Sequence, residues 1–167
     1  MLLETLPPWK AKALELLPEL NEPISEADNL MALWIGLQFE FADAYDPPGR
    51  PDLIRRIYEF AWWCFEQEQT EKDDLASAVA CAFLEHIPEH HKARLDMPRW
   101  FTREEVLAMR GIFSYHLGAV EYDRLVAEVF PRERSNRAAT REERKQNRQP
   151  RPWARPDLPA NRPFRKR

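Results

Sequence analysis

Residues 30–45 read LMALWIGLQFEFADAY and carry a long amphipathic pattern. Its apolar residues recur at helical spacing, which places six of them on one face of an α-helix. Ile35 and Phe39 fall off that face, so we expect the helix to be buried on two sides. We expect Ser25 to cap it and residues 46–51, DPPGRP, to end it, because prolines cannot carry a helical hydrogen-bond ladder. The six core-face residues are Leu30, Leu33, Trp34, Leu37, Phe41 and Ala44.

The helical period continues on both sides of this segment, and no window alternates with the period of a strand pair. We therefore predict an all-α fold of about six helices, built as a single-domain helical bundle or a small stacked array of helical pairs. Residues 88–101 look less regular than the rest. Five further helices are predicted. The first ends at Pro18, the second begins near Asp52, and the third is capped by Thr70 or Asp73 and ends at Pro88. The fourth begins with the capping box Thr102-Arg103-Glu104-Glu105 and ends at Gly118, and the fifth ends at Pro131.

Charge divides the chain of 167 residues, which has a net charge of −3, into two parts. Residues 132–167 hold 13 of the 25 Lys and Arg residues but only 4 of the 28 Asp and Glu residues, a charge of +9. Residues 1–131 carry −12 and most of the apolar residues. We expect an acidic helical domain over 1–131 and a basic, Pro- and Arg-rich tail over 132–167 that is disordered.

Several classes of function are disfavoured by composition. No apolar run approaches the roughly 20 residues that span a bilayer, and the N-terminus lacks the pattern of a secretory signal. The four glycines are too far apart for a phosphate-binding loop, so we expect no nucleotide cofactor and no other cofactor. Cys64 and Cys81 both lie in apolar helical patterns, and we expect buried thiols in a reducing, cytoplasmic compartment.

A cluster of histidines and carboxylates lies between residues 85 and 91. His86 and His90 are four residues apart, the spacing of a helical zinc site, but Pro88 between them spoils that geometry. A third ligand would have to come from Cys81 or His116. We therefore expect no metal site, and a helix C-terminus with a solvated turn instead. The candidate ligands would be His86, His90, His91 and Glu85.

Carboxylates also lie within the apolar helices, at Glu40, Asp43 and Glu59, with the pair Arg55-Arg56 nearby in sequence. Paired carboxylates on facing helices could perform general acid–base chemistry or hold two metal ions. The pattern favours a Glu–Arg pair that fixes helix register.

Aromatic residues are the candidate contacts for a protein partner. Trp62 and Trp63 are neighbours, and neighbours on a helix point about 100° apart, so both cannot face the core. One of them must face another helix, a partner or water. Together with Trp100 they are the predicted partner-binding residues.

The tail offers arginines interleaved with aromatic residues, a composition that suits contact with nucleic acid. Arginine binds phosphate through two parallel hydrogen bonds, and aromatic rings stack on bases. The tail could equally bind the acidic domain of its own chain. The predicted nucleic-acid contacts are Arg141, Arg144, Lys145, Arg148, Arg151, Trp153 and Arg155.

Several motifs of the acidic domain carry a family resemblance. They are LWIGL at 33–37, FADAY at 41–45, IY at 57–58, AWWC at 61–64, AVA at 78–80, FLEHIP at 83–88 and MPRWF at 97–101. Over residues 25–130 the chain resembles an uncharacterised bacterial family of small helical proteins, a domain of unknown function. The resemblance implies a bacterial, all-helical, single domain. It implies no activity, cofactor or catalytic residue.

We therefore expect a non-enzymatic protein that binds another protein, in the manner of immunity or antitoxin-like proteins. A basic partner would suit the acidic domain, because opposite charge steers and speeds association. Two alternatives stay open. One is a nucleic-acid- or ribosome-associated protein that acts through the tail, and the other is a metal-dependent hydrolase that uses Glu40, Glu85 and His86.

Overall fold

A computed structural model describes residues 6–67 and 75–131. Of these residues 79% are helical and none lies in a strand, so the prediction of an all-α fold is confirmed. No helix in the two described ranges is long and apolar enough to cross a bilayer. The predicted caps Thr70 and Asp73 and the whole tail 132–167 lie outside the described residues.

The described residues form nine α-helices and two 3₁₀ helices, so the predicted count of six is wrong. The 3₁₀ helices are Pro18–Leu20 and Leu84–Glu89. The α-helices are α1 (Pro8–Leu16), α2 (Asn21–Glu26), α3 (Leu30–Asp43), α4 (Pro51–Glu66), α5 (Leu75–Ala82), α6 (His91–Trp100), α7 (Arg103–Ala108), α8 (Arg110–Phe113) and α9 (Gly118–Val129).

The start of α3 differs from the prediction. Ser25 lies inside α2, and Asn29 is the residue that caps α3. The Asn29 backbone is extended, with φ at −152°, and its side-chain oxygen accepts a hydrogen bond from the Ala32 N–H at 2.9 Å. Ser25 is therefore not the cap, because Asn29 offers an acceptor directly at the exposed N–H groups of the first turn.

The segment after α5 also departs from the prediction. The helix expected to run on to Pro88 ends at Ala82, and residues 84–89 continue as a 3₁₀ helix that contains Pro88. The expected irregular stretch 88–101 contains α6, for which the His90 side chain accepts a hydrogen bond from the Ala93 N–H at 3.3 Å. Pro88 has no backbone N–H and its ring clashes with the carbonyl four residues earlier in an α-helix, and short 3₁₀ helices commonly connect α-helices, so the chain leaves the α-helix before Pro88.

The capping box at 102–105 is confirmed. The Thr102 hydroxyl accepts from the Glu105 N–H at 3.2 Å, and the Glu105 carboxylate accepts from the Thr102 N–H at 2.7 Å. The helix that follows is split at Met109 into α7 and α8, so the single helix predicted to run to Gly118 is wrong. Gly118 has a positive φ, at +75°, and is the first residue of α9 rather than the end of the preceding helix.

A cluster of aromatic rings forms the centre of the core. Trp34 on α3 stacks against Phe60 of α4 at 5.1 Å and Phe83 at 5.0 Å. Phe41 lies two turns after Trp34 on the same face of α3, and its ring contacts Phe83 edge-to-face with the ring centroids 4.8 Å apart. The predicted core face of α3 is confirmed, with five of its residues buried within the helix and Ala44 buried at its C-cap.

The opposite face of α3 is exposed. Ile35 is 47% exposed and Phe39 is 66% exposed, so the prediction of a helix buried on two sides is wrong. The elements that pack most closely on α3, which are α5, α4 and α2, contact its other faces. An apolar helical face is thus left uncovered within the described part of the chain.

Candidate functional site

The uncovered face of α3 carries three apolar side chains at intervals of four residues. Met31 is 40% exposed, Ile35 47% and Phe39 66%. Residues four apart lie one above the other on a helix, so the three form a continuous row, which we call the α3 stripe. Scattered exposed apolar residues are normal, whereas an aligned row on one helix is typical of an interaction surface.

A cavity of about 260 Å³ adjoins the Phe39 end of the α3 stripe. It lies between α3 and the 3₁₀ helix Leu84–Glu89, and most of its wall is apolar. Its lining residues are Gln38, Phe39, Phe41, Ala42, Phe83, His86, Ile87, Glu89 and His90. A mainly apolar wall with a few polar groups is typical of a binding pocket, and the volume lies just below the roughly 300 Å³ at which ligand pockets usually begin.

Acidic groups surround the α3 stripe. Helix α3 contains Glu40 and Asp43 and no lysine or arginine, and Asp28 lies three residues before Met31. Neither Asp28 nor Asp43 has an ion-pair partner among residues 6–67 and 75–131. The described residues include 11 basic and 19 acidic side chains, and nine of the basic ones are in ion pairs. The exposed charge of α3 itself is therefore negative, and at the Asp28 end the Lys10 ammonium lies close by, since it donates to the Ala27 carbonyl oxygen at 3.1 Å.

Two histidines and two carboxylates meet beside this cavity. The His86 Nδ1 atom lies 2.7 Å from a Glu89 carboxylate oxygen, and the His116 Nε2 atom lies 3.6 Å from a Glu85 carboxylate oxygen. The two imidazole rings stack with their centroids 4.5 Å apart. His86, Glu89 and His116 offer ligand atoms that all lie within 4.8 Å of one another. We call these four residues the histidine cluster.

The structure sorts the predicted metal ligands into two groups. His86 and Glu85 belong to the histidine cluster, and His116 joins them as the sequence allowed. His90 and His91 do not belong to it. His90 caps α6 and its ring lies 5.6 Å from that of Tyr45, and His91 is exposed at the first position of α6. The prediction that Cys81 is buried is wrong, since Cys81 is exposed on α5.

The three predicted partner-binding tryptophans lie largely inside the protein. Trp62 is 8% exposed and Trp100 is 6% exposed. Trp63 is half-buried and stacks with Phe60 at 6.0 Å. The indole of Trp100 donates a hydrogen bond to Asp96 at 3.0 Å and stacks on Tyr58 at 4.4 Å. A direct role for these residues in partner binding stays a prediction.

The carboxylates named for the hydrolase hypothesis are not brought together as a set. Glu40 pairs with Arg50 at 3.3 Å, whereas Glu85 and His86 lie in the histidine cluster. Glu59 pairs with Arg55 at 2.8 Å, and both side chains are partly exposed. Because both residues belong to α4, the pair does not connect two helices. Asp43 is exposed. The predicted nucleic-acid contacts in the tail lie outside the described residues.

Sequence reasoning missed a polar junction between α3 and α6. The Tyr45 hydroxyl donates to Asp96 at 3.0 Å, and Asp96 also accepts from Trp100. Burial, together with the neighbouring Asp96, raises the pKa of Tyr45. The Lys92 ammonium donates to the Tyr45 carbonyl oxygen at 3.0 Å and to Asp46 at 2.8 Å. These bonds hold the segment that follows α3 against α6.

Comparison with known proteins adds no relative. No family model, no curated protein and no solved structure matches this chain. The resemblance to an uncharacterised bacterial family therefore stays a prediction.

Proposed function

We propose that the protein is a non-enzymatic binding module whose α3 stripe receives an apolar helix of a partner protein. The observation that carries this proposal is the exposure of Met31, Ile35 and Phe39 in one row on a helix that is otherwise part of the core. A groove or face that binds an amphipathic helix contacts apolar side chains of that helix at intervals of three or four residues. The row on α3 offers this spacing.

The cavity beside Phe39 gives the docked helix a place for one large side chain. A side chain that enters a well-packed pocket contributes more to affinity than one at a flat surface. Phe39 stands at the junction of the stripe and the cavity, so a partner side chain can contact both. We therefore expect Phe39 to dominate the binding free energy.

Charge indicates the chemistry of the partner. The carboxylates of Asp28 and Asp43 lie near opposite ends of the stripe, and α3 carries no basic residue to offset them. A partner helix with Lys or Arg at both ends would complement these groups and associate faster at low salt. Immunity and antitoxin-like proteins act by covering a partner surface, and we propose this class by analogy.

A defined peptide tests the proposal. The probe is a synthetic helix with leucines at positions i, i+3, i+4 and i+7 and three lysines at each end, and the comparison peptide has glutamates in place of the lysines. We expect the lysine peptide to bind the full chain more tightly by fluorescence anisotropy, with affinity that falls as salt is added.

Matched variants locate the binding surface. Ile35→Ser with Phe39→Ser should weaken binding of the lysine peptide by about tenfold or more. Val120→Ser is the control, since Val120 on α9 is as exposed as Phe39, at 66%. Equal binding by the double variant, equal binding of the two peptides, or no binding of either would overturn the proposal. A concentration-dependent dimer that the double variant abolishes would show that the stripe is covered by a second copy instead.

A further inference from the structure

We propose that His86, Glu89 and His116 bind one divalent transition-metal ion of the Zn²⁺ type. Their ligand atoms already lie within 4.8 Å of one another. In a four-coordinate zinc site with bonds of about 2.1 Å, neighbouring ligand atoms stand roughly 3.4 Å apart. Small side-chain rotations would therefore bring the three donors to one ion. This inference is independent of the α3 stripe as a docking surface.

Local backbone geometry places two of the ligands on one side. His86 and Glu89 are three residues apart in the 3₁₀ helix Leu84–Glu89, and a 3₁₀ helix has three residues per turn. Their side chains consequently point the same way, which explains the 2.7 Å contact between Nδ1 and the carboxylate. Pro88 spoils the α-helical spacing of His86 and His90, but it lies within the 3₁₀ helix that places His86 and Glu89 on one side.

The third ligand comes from a turn that is held in place. His116 follows α8, which packs on the 3₁₀ helix Leu84–Glu89. The turn is closed by hydrogen bonds from the Tyr115 N–H to the Ile112 carbonyl at 3.1 Å and from the Gly118 N–H to the Ser114 carbonyl at 2.8 Å. Gly118 takes the positive φ that begins the next helix. His116 is thus presented to the other two ligands by ordered backbone.

Glu85 is a positioning residue for this site. Its carboxylate is largely buried, with 13% of the side chain exposed, and lies 3.6 Å from His116 Nε2. Metal-binding histidines usually direct their second ring nitrogen to a carboxylate, which fixes the tautomer and orients the ring. Glu85 faces the Nε2 atom of His116, so in the proposed site the Nδ1 atom of His116 binds the ion and Glu85 orients the ring from the other side.

The donor set selects the class of metal. Imidazole nitrogens suit Zn²⁺, Co²⁺, Ni²⁺ and Cu²⁺, whereas Mg²⁺ and Ca²⁺ prefer sites made entirely of oxygen. Three protein ligands leave a fourth position for water or for a group on a bound molecule. Because His86 and Glu89 also line the cavity beside Phe39, the site adjoins that cavity.

Cobalt titration of the untagged full chain tests this site. We expect one equivalent of Co²⁺ to bind and to give the intense visible absorption of tetrahedral cobalt, and Zn²⁺ to displace it. His86→Ala and His116→Ala should abolish this spectrum, and Glu85→Gln should weaken affinity by about tenfold. His91→Ala is the control, since His91 is an exposed histidine outside the cluster, and it should bind cobalt like the wild type.

Circular dichroism of each variant separates loss of a ligand from loss of the fold. Glu89→Gln provides a second ligand variant, because it keeps the shape of the side chain and removes its charge. The proposal is overturned if the folded wild type binds neither Co²⁺ nor Zn²⁺ at micromolar concentration. It is also overturned if folded His116→Ala retains the wild-type spectrum, or if His91→Ala loses it.

Discussion

The two cysteines differ in their surroundings although both lie in apolar helical patterns. Cys64 on α4 is fully buried, and burial raises the pKa of its thiol to about 12. Cys81 on α5 is exposed. Only the thiolate reacts readily with disulfide reagents, so burial and a raised pKa both protect Cys64.

We expect an aromatic disulfide reagent to react with the native protein at one thiol quickly and at the other only on unfolding. Cys81→Ser should remove the fast reaction, while Cys64→Ser should leave it. Because folding raises the pKa of the Cys64 thiol, the unfolded protein loses the thiol proton at a lower pH than the native protein does. Stability should therefore fall above pH 9, the ordinary value for the thiol. A fast reaction that survives Cys81→Ser would contradict the burial of Cys64.

The hydroxyl of Tyr122 makes a buried hydrogen bond between two helices. It donates to the Val106 carbonyl oxygen at 2.8 Å, which links α9 to α7. Tyr122→Phe leaves that carbonyl without its partner and should lower the free energy of unfolding by about 1 to 2 kcal/mol. Tyr115→Phe is the control, because Tyr115 is 70% exposed and should tolerate the change. Urea denaturation of both variants measures the difference, and equal stabilities would contradict the assigned bond.

At the scale of elements, Arg56 connects α4 with the N-terminal helices. Its guanidinium donates to the Leu16 carbonyl oxygen at 2.7 Å and to Glu19 at 2.7 Å. Hydrogen bonding from Arg56 lowers the pKa of Glu19 below its ordinary value of 4.5. A carboxyl group whose pKa is lowered by folding stabilises the native state above the ordinary pKa, and this contribution is lost as pH falls through the lowered value.

Arg56→Met should therefore destabilise the protein at neutral pH and have a smaller effect in acid. We expect the difference in the free energy of unfolding between wild type and variant to shrink as pH is lowered from 7 to 3. Arg124→Met is the control, since among residues 6–67 and 75–131 Arg124 pairs with Glu121 alone, on the exposed surface of α9. A difference that stays constant with pH would show that Arg56 acts through its apolar stem alone.

Local signals in the sequence predicted helix starts better than helix breaks. The capping box at Thr102 depends on residues three apart and forms as predicted. The break at Met109 and the end of α5 at Ala82 depend on how helices pack, and no residue type in the sequence marks them. Asn29 did carry a capping signal, but Ser25 carries the same one, and the sequence does not show which of the two begins a helix.

The candidate site was predictable in part. His86, Glu85 and the alternative third ligand His116 all emerge from residue type and spacing. Their meeting depends on the packing of α8 against the 3₁₀ helix Leu84–Glu89, which spacing does not reveal. In the same way, Ile35 and Phe39 stand out as apolar residues off the core face. Only the positions of the other helices decide whether such residues are covered or exposed.

At the scale of the whole molecule, the fold should not depend on the α3 stripe. Ile35→Ser with Phe39→Ser should change the free energy of unfolding by only about 0.5 kcal/mol, because both side chains face outward. Leu37→Ala, on the same helix but fully buried, should cost about 2 to 5 kcal/mol through loss of packing. Thermal and urea denaturation of the two variants provide the comparison. A large loss of stability in the double variant would show that the stripe is covered within the chain.

The most direct test of the α3 stripe as a docking surface is photo-crosslinking of the full chain from position 39 in native cell extract. A photoreactive phenylalanine replaces Phe39 in one sample and Val120 in the control. We expect one discrete adduct from position 39 and none from 120, with the linked peptide identified by mass spectrometry as an amphipathic helix flanked by Lys or Arg. An adduct between two copies of this chain, an acidic partner peptide, or equal adducts from both positions would contradict the proposal.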